Sequence, residues 1–290
     1  MEKIAPHVYV EPGYRGCTVG AIITPEGVIC VDTPMLPADA RHWREQIRLL
    51  TDQAIRYVIF TDGHRDRILG QQWLGGMVVA HEQTYEKMHG LSDAFRQQVV
   101  EFMQHHGAPQ AAEEISHSLQ LTMPEITIGD GGTLTLHINK PRVVVRPVGG
   151  ATPSSVWVEL PDQGVSFVGD VVTLNTHPFM SEADTLLWLK RLTELRSSKY
   201  FAKKIVPGRG GVYHKEEAQK MSAYLLDMRS RLQKLMTQHR GKIDSGELLP
   251  HFLDRFPVPH GESERVQRRI RTGLERVHEE LRAENRKSRR

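Results

Sequence analysis

Asp62, His64 and Asp66 recur at every second position in the run Thr61-Asp62-Gly63-His64-Arg65-Asp66-Arg67. In an extended chain that spacing turns three metal-type ligands toward one side. Two carboxylates and an imidazole suit a divalent ion, and His64 with Asp66 could equally do acid–base work. A plainer reading stands beside these: a polar turn in which Asp66 is an ordinary helix-start carboxylate. The cluster follows Ile55-Arg56-Tyr57-Val58-Ile59-Phe60, a β-branched and aromatic run that reads as a buried strand. A strand ending in a charged loop is how a rigid sheet presents reactive side chains.

The surrounding segments read as the rest of such a scaffold. Residues 17–23 and 28–31 flank Pro25-Glu26-Gly27 as a hairpin that ends at Asp32-Thr33-Pro34. Residues 38–50 place Trp43, Ile47 and Leu50 on one helical face. A strand over 77–80 precedes one long helix over 83–107, with a further turn or two over 111–119. Residues 125–128, 133–138 and 142–147 resume β alternation, and a second hairpin, 155–160 with 165–168, turns around Pro161-Asp162. A helix over 183–195 leads to a short strand, 204–206, before Pro207-Gly208-Arg209-Gly210. From His214 onward the pattern is helical, ending over 262–283 with Val266, Ile270, Leu274, Val277 and Leu281 on one seam. Two β-then-α halves predict an α/β (α+β) sheet-on-sheet sandwich flanked by helices. We expect one domain over 1–212 and a helical extension over 213–290 that packs on it, forms a homodimer through its last helix, or does both.

Of 290 residues, 25% are charged and 39% apolar, the balance of a globular chain with a sizeable core. A formal charge of +3 is too small to imply nucleic acid. From His260 on, ten Lys/Arg face six Asp/Glu, so the excess sits in a tail whose Arg286-Lys287-Ser288-Arg289-Arg290 end reads as solvated. Cys17 and Cys30 lie in apolar runs and read as buried free thiols. No apolar run approaches the ~20 residues of a membrane span, and no leader is recognisable, which predicts a cytoplasmic protein with no membrane partner. His81, His105, His106 and His137 read as surface or helix-face histidines rather than ligands.

Five segments in order carry a resemblance: Val31-Asp32-Thr33; Thr61 to Arg67 with Gly70; Gly150-Ala151-Thr152-Pro153-Ser154-Ser155; Phe167-Val168-Gly169-Asp170; and Pro207-Gly208-Arg209-Gly210. Together they resemble the metallo-β-lactamase superfamily, an αββα sandwich of mostly hydrolases. The resemblance implies two metal ions held by Thr-His-x-His-x-Asp-His, Gly-His-Thr, Gly-Asp and Pro-Gly-His-Gly, with a bound water as nucleophile. Carried over position by position, the first histidine is Asp62, His64 and Asp66 are kept, and the next histidine is Arg67. The Gly-His-Thr histidine is Ala151, the bridging carboxylate Asp170 is kept, and the last histidine is Arg209. Four of seven positions have changed.

Guanidinium keeps its proton in proteins and has no lone pair to offer, so Arg67 and Arg209 cannot be ligands; they can pair with carboxylates. We therefore expect a degenerate site with no cofactor: a pseudoenzyme or scaffolding protein that binds a small anion through Arg67, Arg209 and His177. His177 follows Asp170 closely enough in sequence to line the same cleft. The alternative is a mono-metal hydrolase of esters, thioesters or lactones, with Asp62, His64 and Asp170 around one Zn, Mn or Fe ion. Metal-free acid–base catalysis by His64, held by Asp62 or Asp66, is a third reading.

Overall fold

The computed structural model describes residues 1–239 and 243–287. The chain forms two compact units. The first comprises Met1–Val148, Ser154–Gly169 and Phe201–His214, and the second Gly149–Pro153, Asp170–Tyr200 and Lys215–Arg290.

Seven strands of the first unit form one sheet in chain order: β1 (Glu2–Ala5), β2 (Val8–Glu11), β3 (Val19–Thr24), β4 (Gly27–Val31), β5 (Ile55–Ile59), β6 (Met77–His81) and β7 (Ile126–Ile128). The first four pair antiparallel; from β4 to β7 the pairing is parallel. Parallel neighbours need long crossovers. These are α1 (Pro37–Arg48), then α2 (Arg65–Ile68) with α3 (Gln71–Leu74), then α4 (Glu82–His89), α5 (Asp93–His105) and α6 (Pro109–Ser118). A second sheet has the order β13-β12-β11-β10-β9-β8, from β8 (Leu134–Leu136), β9 (Val143–Pro147), β10 (Val156–Leu160), β11 (Val165–Thr173), β12 (Lys204–Arg209) and β13 (Tyr213–His214). Alternate residues of both sheets, among them Val8, Ile22, Ile59, Val145, Val158 and Phe167, share one core. The other face of the first sheet buries Val19, Cys30, Val58 and Val78 against Trp43 and Ile47 of α1.

Three expectations differ in extent. The single helix over 83–107 is two, because Gly90 closes α4 and Ser92 opens α5. The strand begun at 165 runs through Gly169-Asp170 to Thr173 with all nine residues buried, and the last long strand reaches Arg209. Cys17 and Cys30 are buried free thiols.

The second unit is helical: α7 (Thr185–Arg196), α8 (Ala218–Gln238), α9 (Leu249–Leu253) and α10 (Ser263–Lys287). The seam of α10, Val266, Ile270, Leu274, Val277 and Leu281, is buried where that helix packs on α8 and α9. Glu280 accepts from the Thr185 backbone N–H at 3.0 Å and from the Arg229 guanidinium at 3.2 Å, tying α10 to α7 and α8. The apolar face expected to serve packing or dimerisation is thus covered by helices of the same chain. Positions 288–290 of the basic end lie outside the described residues. Among those described, no helix is long and apolar enough to cross a membrane.

Candidate functional site

Parallel register sets the site's first contact. Val31 pairs with Ile59, so the chain leaves β4 at Asp32 beside the point where it leaves β5 toward Thr61. Asp32 sits at φ +57°, a left-handed conformation that Asp tolerates better than most residues. Its Oδ1 accepts from the Thr61 backbone N–H at 2.7 Å and its Oδ2 from the Thr61 hydroxyl at 2.6 Å. Asp62 Oδ1 accepts from the backbone N–H of His64 at 2.8 Å, a local turn that starts α2. The His64 imidazole Nδ1 lies 2.9 Å from the same oxygen.

One turn of α2 then carries Arg67 inward. Its guanidinium is fully enclosed, with Nε 3.5 Å from Asp32 Oδ2 and 3.7 Å from Asp62 Oδ2. Its Nη1 donates to the Gly208 carbonyl at 3.1 Å. Asp66, on the same helix, pairs with Arg209 Nη2, and Arg209 Nη1 donates to the Gly16 carbonyl. Thr33 Oγ1 donates to the Arg67 carbonyl at 2.6 Å, closing the loop over α2. Gly70 ends this turn under the Pro34 carbonyl, where an added Cβ would come within 2.0 Å of the oxygen.

The charges are matched in a way that explains the titration of each group. Burial pushes Asp32 up to about 7 and Asp62 pushes the same way, with Arg67 and the Thr61 hydrogen bonds pulling back. Burial also opposes ionisation of Asp62, but His64 and Arg67 outweigh it and hold Asp62 well below the usual carboxylate range. Asp66 is likewise buried, yet Arg209 and Arg67 bring it down to about 2. Cys17, whose Sγ lies 3.2 Å from the Thr33 carbonyl and 3.0 Å from the Asp66 carbonyl, is pushed up by burial and is a packed thiol rather than a nucleophile.

A two-ion centre does not fit these residues. At two of the ligand positions that the resemblance implies stand Arg67, which faces Asp32 and Asp62, and Arg209, which engages Asp66; a guanidinium has no lone pair to give a metal. Ala151, at a third ligand position, is buried and offers no donor. One ion has a more complete set of candidate ligands in Asp62, His64 and Asp170, of which Asp62 and His64 stand 2.9 Å apart in the first unit. Against it, both oxygens of Asp62 already face His64 or Arg67.

The structure thus gathers Asp62, His64, Asp66, Arg67 and Arg209 into one network and adds Asp32, to which the sequence assigns no role. Its signal was present in Val31-Asp32-Thr33, a strand end with a carboxylate. Arg67, expected to meet a ligand, has no exposed side-chain surface, whereas Arg209 keeps 17% and His64 18%. His177 lies in the second unit, where its Nδ1 meets the Tyr224 hydroxyl at 3.1 Å.

No protein-family model and no curated protein sequence matches the chain. Solved structures do. A metallo-β-lactamase family protein from Thermus thermophilus aligns with a TM-score of 0.68 and 19% identity over 98% of this chain and 95% of that one. A metallo-β-lactamase from Pontibacter korlensis aligns with a TM-score of 0.54 and 23% identity over 78% of this chain and 97% of that one. The metallo-β-lactamase FIM-1 from Pseudomonas aeruginosa, in its mono-zinc form, gives 0.56 and 19% over 78% and 93%. At such identities the likeness is one of fold, and the chain has the metallo-β-lactamase fold.

Proposed function

We propose that this chain is a hydrolase homologue whose two-ion centre has been replaced by arginine, and that it works as a small-anion-binding or scaffolding protein. One observation carries the reading: Arg67 is enclosed between Asp32 and Asp62 while Arg209 engages Asp66. Two fixed positive charges compensate the carboxylates that a divalent ion would otherwise neutralise, and a buried carboxylate without such a partner is costly. Arg67 then belongs to the framework, and the exposed edges of Arg209 and His64 meet the anion. Buried free thiols at Cys17 and Cys30 support a reducing compartment, the cytoplasm. Neither nucleic acid nor a membrane surface is the partner in this reading.

Elemental analysis of protein grown with added zinc, manganese and iron tests it. We expect substoichiometric metal, and the variant Arg67→His/Ala151→His/Arg209→His should gain zinc affinity because it restores three imidazoles. One tightly held ion per chain in the unaltered protein would overturn the metal-free reading.

A second reading is supported by the donor chemistry of Asp62, His64 and Asp170, two carboxylates and an imidazole. These residues would hold a single Zn, Mn or Fe ion, which supplies Lewis-acid polarisation of an ester, thioester or lactone carbonyl. The same elemental analysis separates the two.

A further inference from the structure

Where β4 and β5 begin, turns of both sheets of the first unit meet around an open cleft of about 830 Å³. Register brings them together. Thr24 stands opposite Gly27 in the β3–β4 turn, and the Ile23 backbone N–H donates to the His7 carbonyl at 2.9 Å, which sets the β1–β2 turn beside it. The Val28 N–H donates to the Ala54 carbonyl at 2.9 Å, so the loop entering β5, with Thr51 and Gln53, lies alongside. In the second sheet Val144 pairs with Glu159, which puts the approach to β9 at the same end as the β10–β11 turn. Asn139, at a left-handed φ of +61°, ties the turns of the two sheets together: its Nδ2 donates to Glu26 Oε1 at 2.8 Å. Asp32 and Thr61 follow the far ends of β4 and β5, roughly 15 Å along the strands. The cleft is therefore separate from the network around Arg67.

Its volume is that of a small-molecule site. The walls carry one fixed charge, that of Lys140, which forms no ion pair among the described residues, and no carboxylate lines the cleft among those residues. Glu26, in the adjoining turn, already has Oε1 on Asn139 and Oε2 3.0 Å from Arg56 Nη1. Asp162 Oδ2 accepts from the Arg142 backbone N–H at 3.2 Å. Gln53 and Gln163 present side-chain amides, Thr51 a hydroxyl and His7 an imidazole, groups that both donate and accept. The Thr24 hydroxyl is closed to a ligand, since it donates to the Gly27 carbonyl at 2.6 Å and accepts from the Glu26 N–H at 3.2 Å. Between the polar groups stand the apolar side chains of Ile23, Pro25 and Pro141. A matching ligand carries one negative charge for Lys140, hydroxyls for the amides and Thr51, and a C–H face for the prolines. A hydrocarbon acid would strip water from the amides without replacing its hydrogen bonds.

We propose that this cleft binds a sugar acid, a polyhydroxylated molecule with a single carboxylate. Lys140 meets the carboxylate, and Gln53, Gln163 and Thr51 meet the hydroxyls. The site goes beyond the arginine-for-metal reading and does not depend on it, since none of its residues belongs to the Asp32–Arg67–Asp66–Arg209 network.

The test is proton–nitrogen correlation NMR on the full 15N-labelled chain, titrated separately with sodium D-glucuronate, D-glucose and sodium acetate at constant ionic strength. We expect glucuronate to shift the backbone amides of Gln53, Lys140 and Gln163 saturably. Its affinity should exceed that of glucose, which lacks the acid, and of acetate, which lacks the hydroxyls, by about tenfold or more. Lys140→Gln should weaken glucuronate about three- to tenfold and leave glucose unchanged, whereas Gln53→Ala/Gln163→Ala should weaken both sugars. Lys140 and Gln53 are exposed and Gln163 is partly so, which keeps these substitutions out of the core. The proposal is overturned if glucuronate gives no saturable shift, if glucose or acetate binds as tightly, or if Lys140→Gln binds glucuronate as well as the unaltered protein. Shifts confined to residues 62–67 and Arg209 would also overturn it, and would support the anion site proposed there. Metal found by elemental analysis would remove the metal-free reading and leave this site standing.

Discussion

Replacing Arg67 with Met tests whether this side chain is the internal counter-ion of the site. Methionine matches much of the stem but removes the guanidinium that faces Asp32 at 3.5 Å, Asp62 at 3.7 Å and the Gly208 carbonyl at 3.1 Å. Breaking a buried pair by deleting one partner costs about 3–5 kcal/mol, because the other charge stays behind. At roughly 2–4 °C per kcal/mol for a chain of this size, Tm should fall by about 6–20 °C. The loss should also depend on pH. Asp32 already titrates near 7 with Arg67 present, and its pKa rises further once the cation is gone. A protonated Asp32 relieves the repulsion from Asp62, so the loss should be large at pH 8 and smaller at pH 5. Urea unfolding followed by circular dichroism at both pH values measures this. Arg67→Lys, which keeps charge but not the planar fork, should fall between wild type and Arg67→Met. A loss under about 1 kcal/mol at pH 8, or an equal loss at both pH values, would show that the carboxylates find compensation elsewhere.

Asp32→Asn should flatten the stability profile of the wild type. With a folded pKa near 7 against about 3.9 unfolded, Asp32 binds more protons in the native state across that window, so it lowers stability as pH rises from 4 to 7; an unchanged slope in urea midpoints would assign the effect to another group. Asp66 has the opposite sign. Held down to about 2 by Arg209 and Arg67, it contributes stability above pH 4 that disappears as pH falls through 2. Arg209→Met should therefore cost about 1–3 kcal/mol at pH 6 and progressively less toward pH 2, read from acid-unfolding curves against wild type. Gly70→Ala should destabilise by about 3 kcal/mol even though Gly70 has an ordinary φ of −80°, because its Cβ would sit 2.0 Å from the Pro34 carbonyl oxygen; a Tm within a few degrees of wild type would mean that the Pro34 loop yields.

Chain order and side-chain chemistry carried much of this protein in one dimension. The strand-ending motifs at Val31-Asp32-Thr33, Thr61 to Arg67, Gly169-Asp170 and Pro207 to Gly210 could be aligned with a fold, and the fold is present. That Arg67 and Arg209 cannot ligate a metal follows from guanidinium chemistry alone. The seam of α10 was legible because a 3.6-residue period is a local property, and those residues are buried as the period requires. Contacts between distant residues were not legible. Asp32 joins the network because parallel register sets it beside Thr61, 29 residues on, and because its backbone turns left-handed there. The two arginines look equivalent in sequence, yet one is sealed into the framework and the other reaches the surface, a difference set by the turn of α2 against the end of β12. His177 and Tyr224 find each other only when α8 is placed. Composition and periodicity report what a residue can do; which carboxylate meets which cation is decided by sheet register and helix placement, and these act across tens of residues where no local pattern reaches.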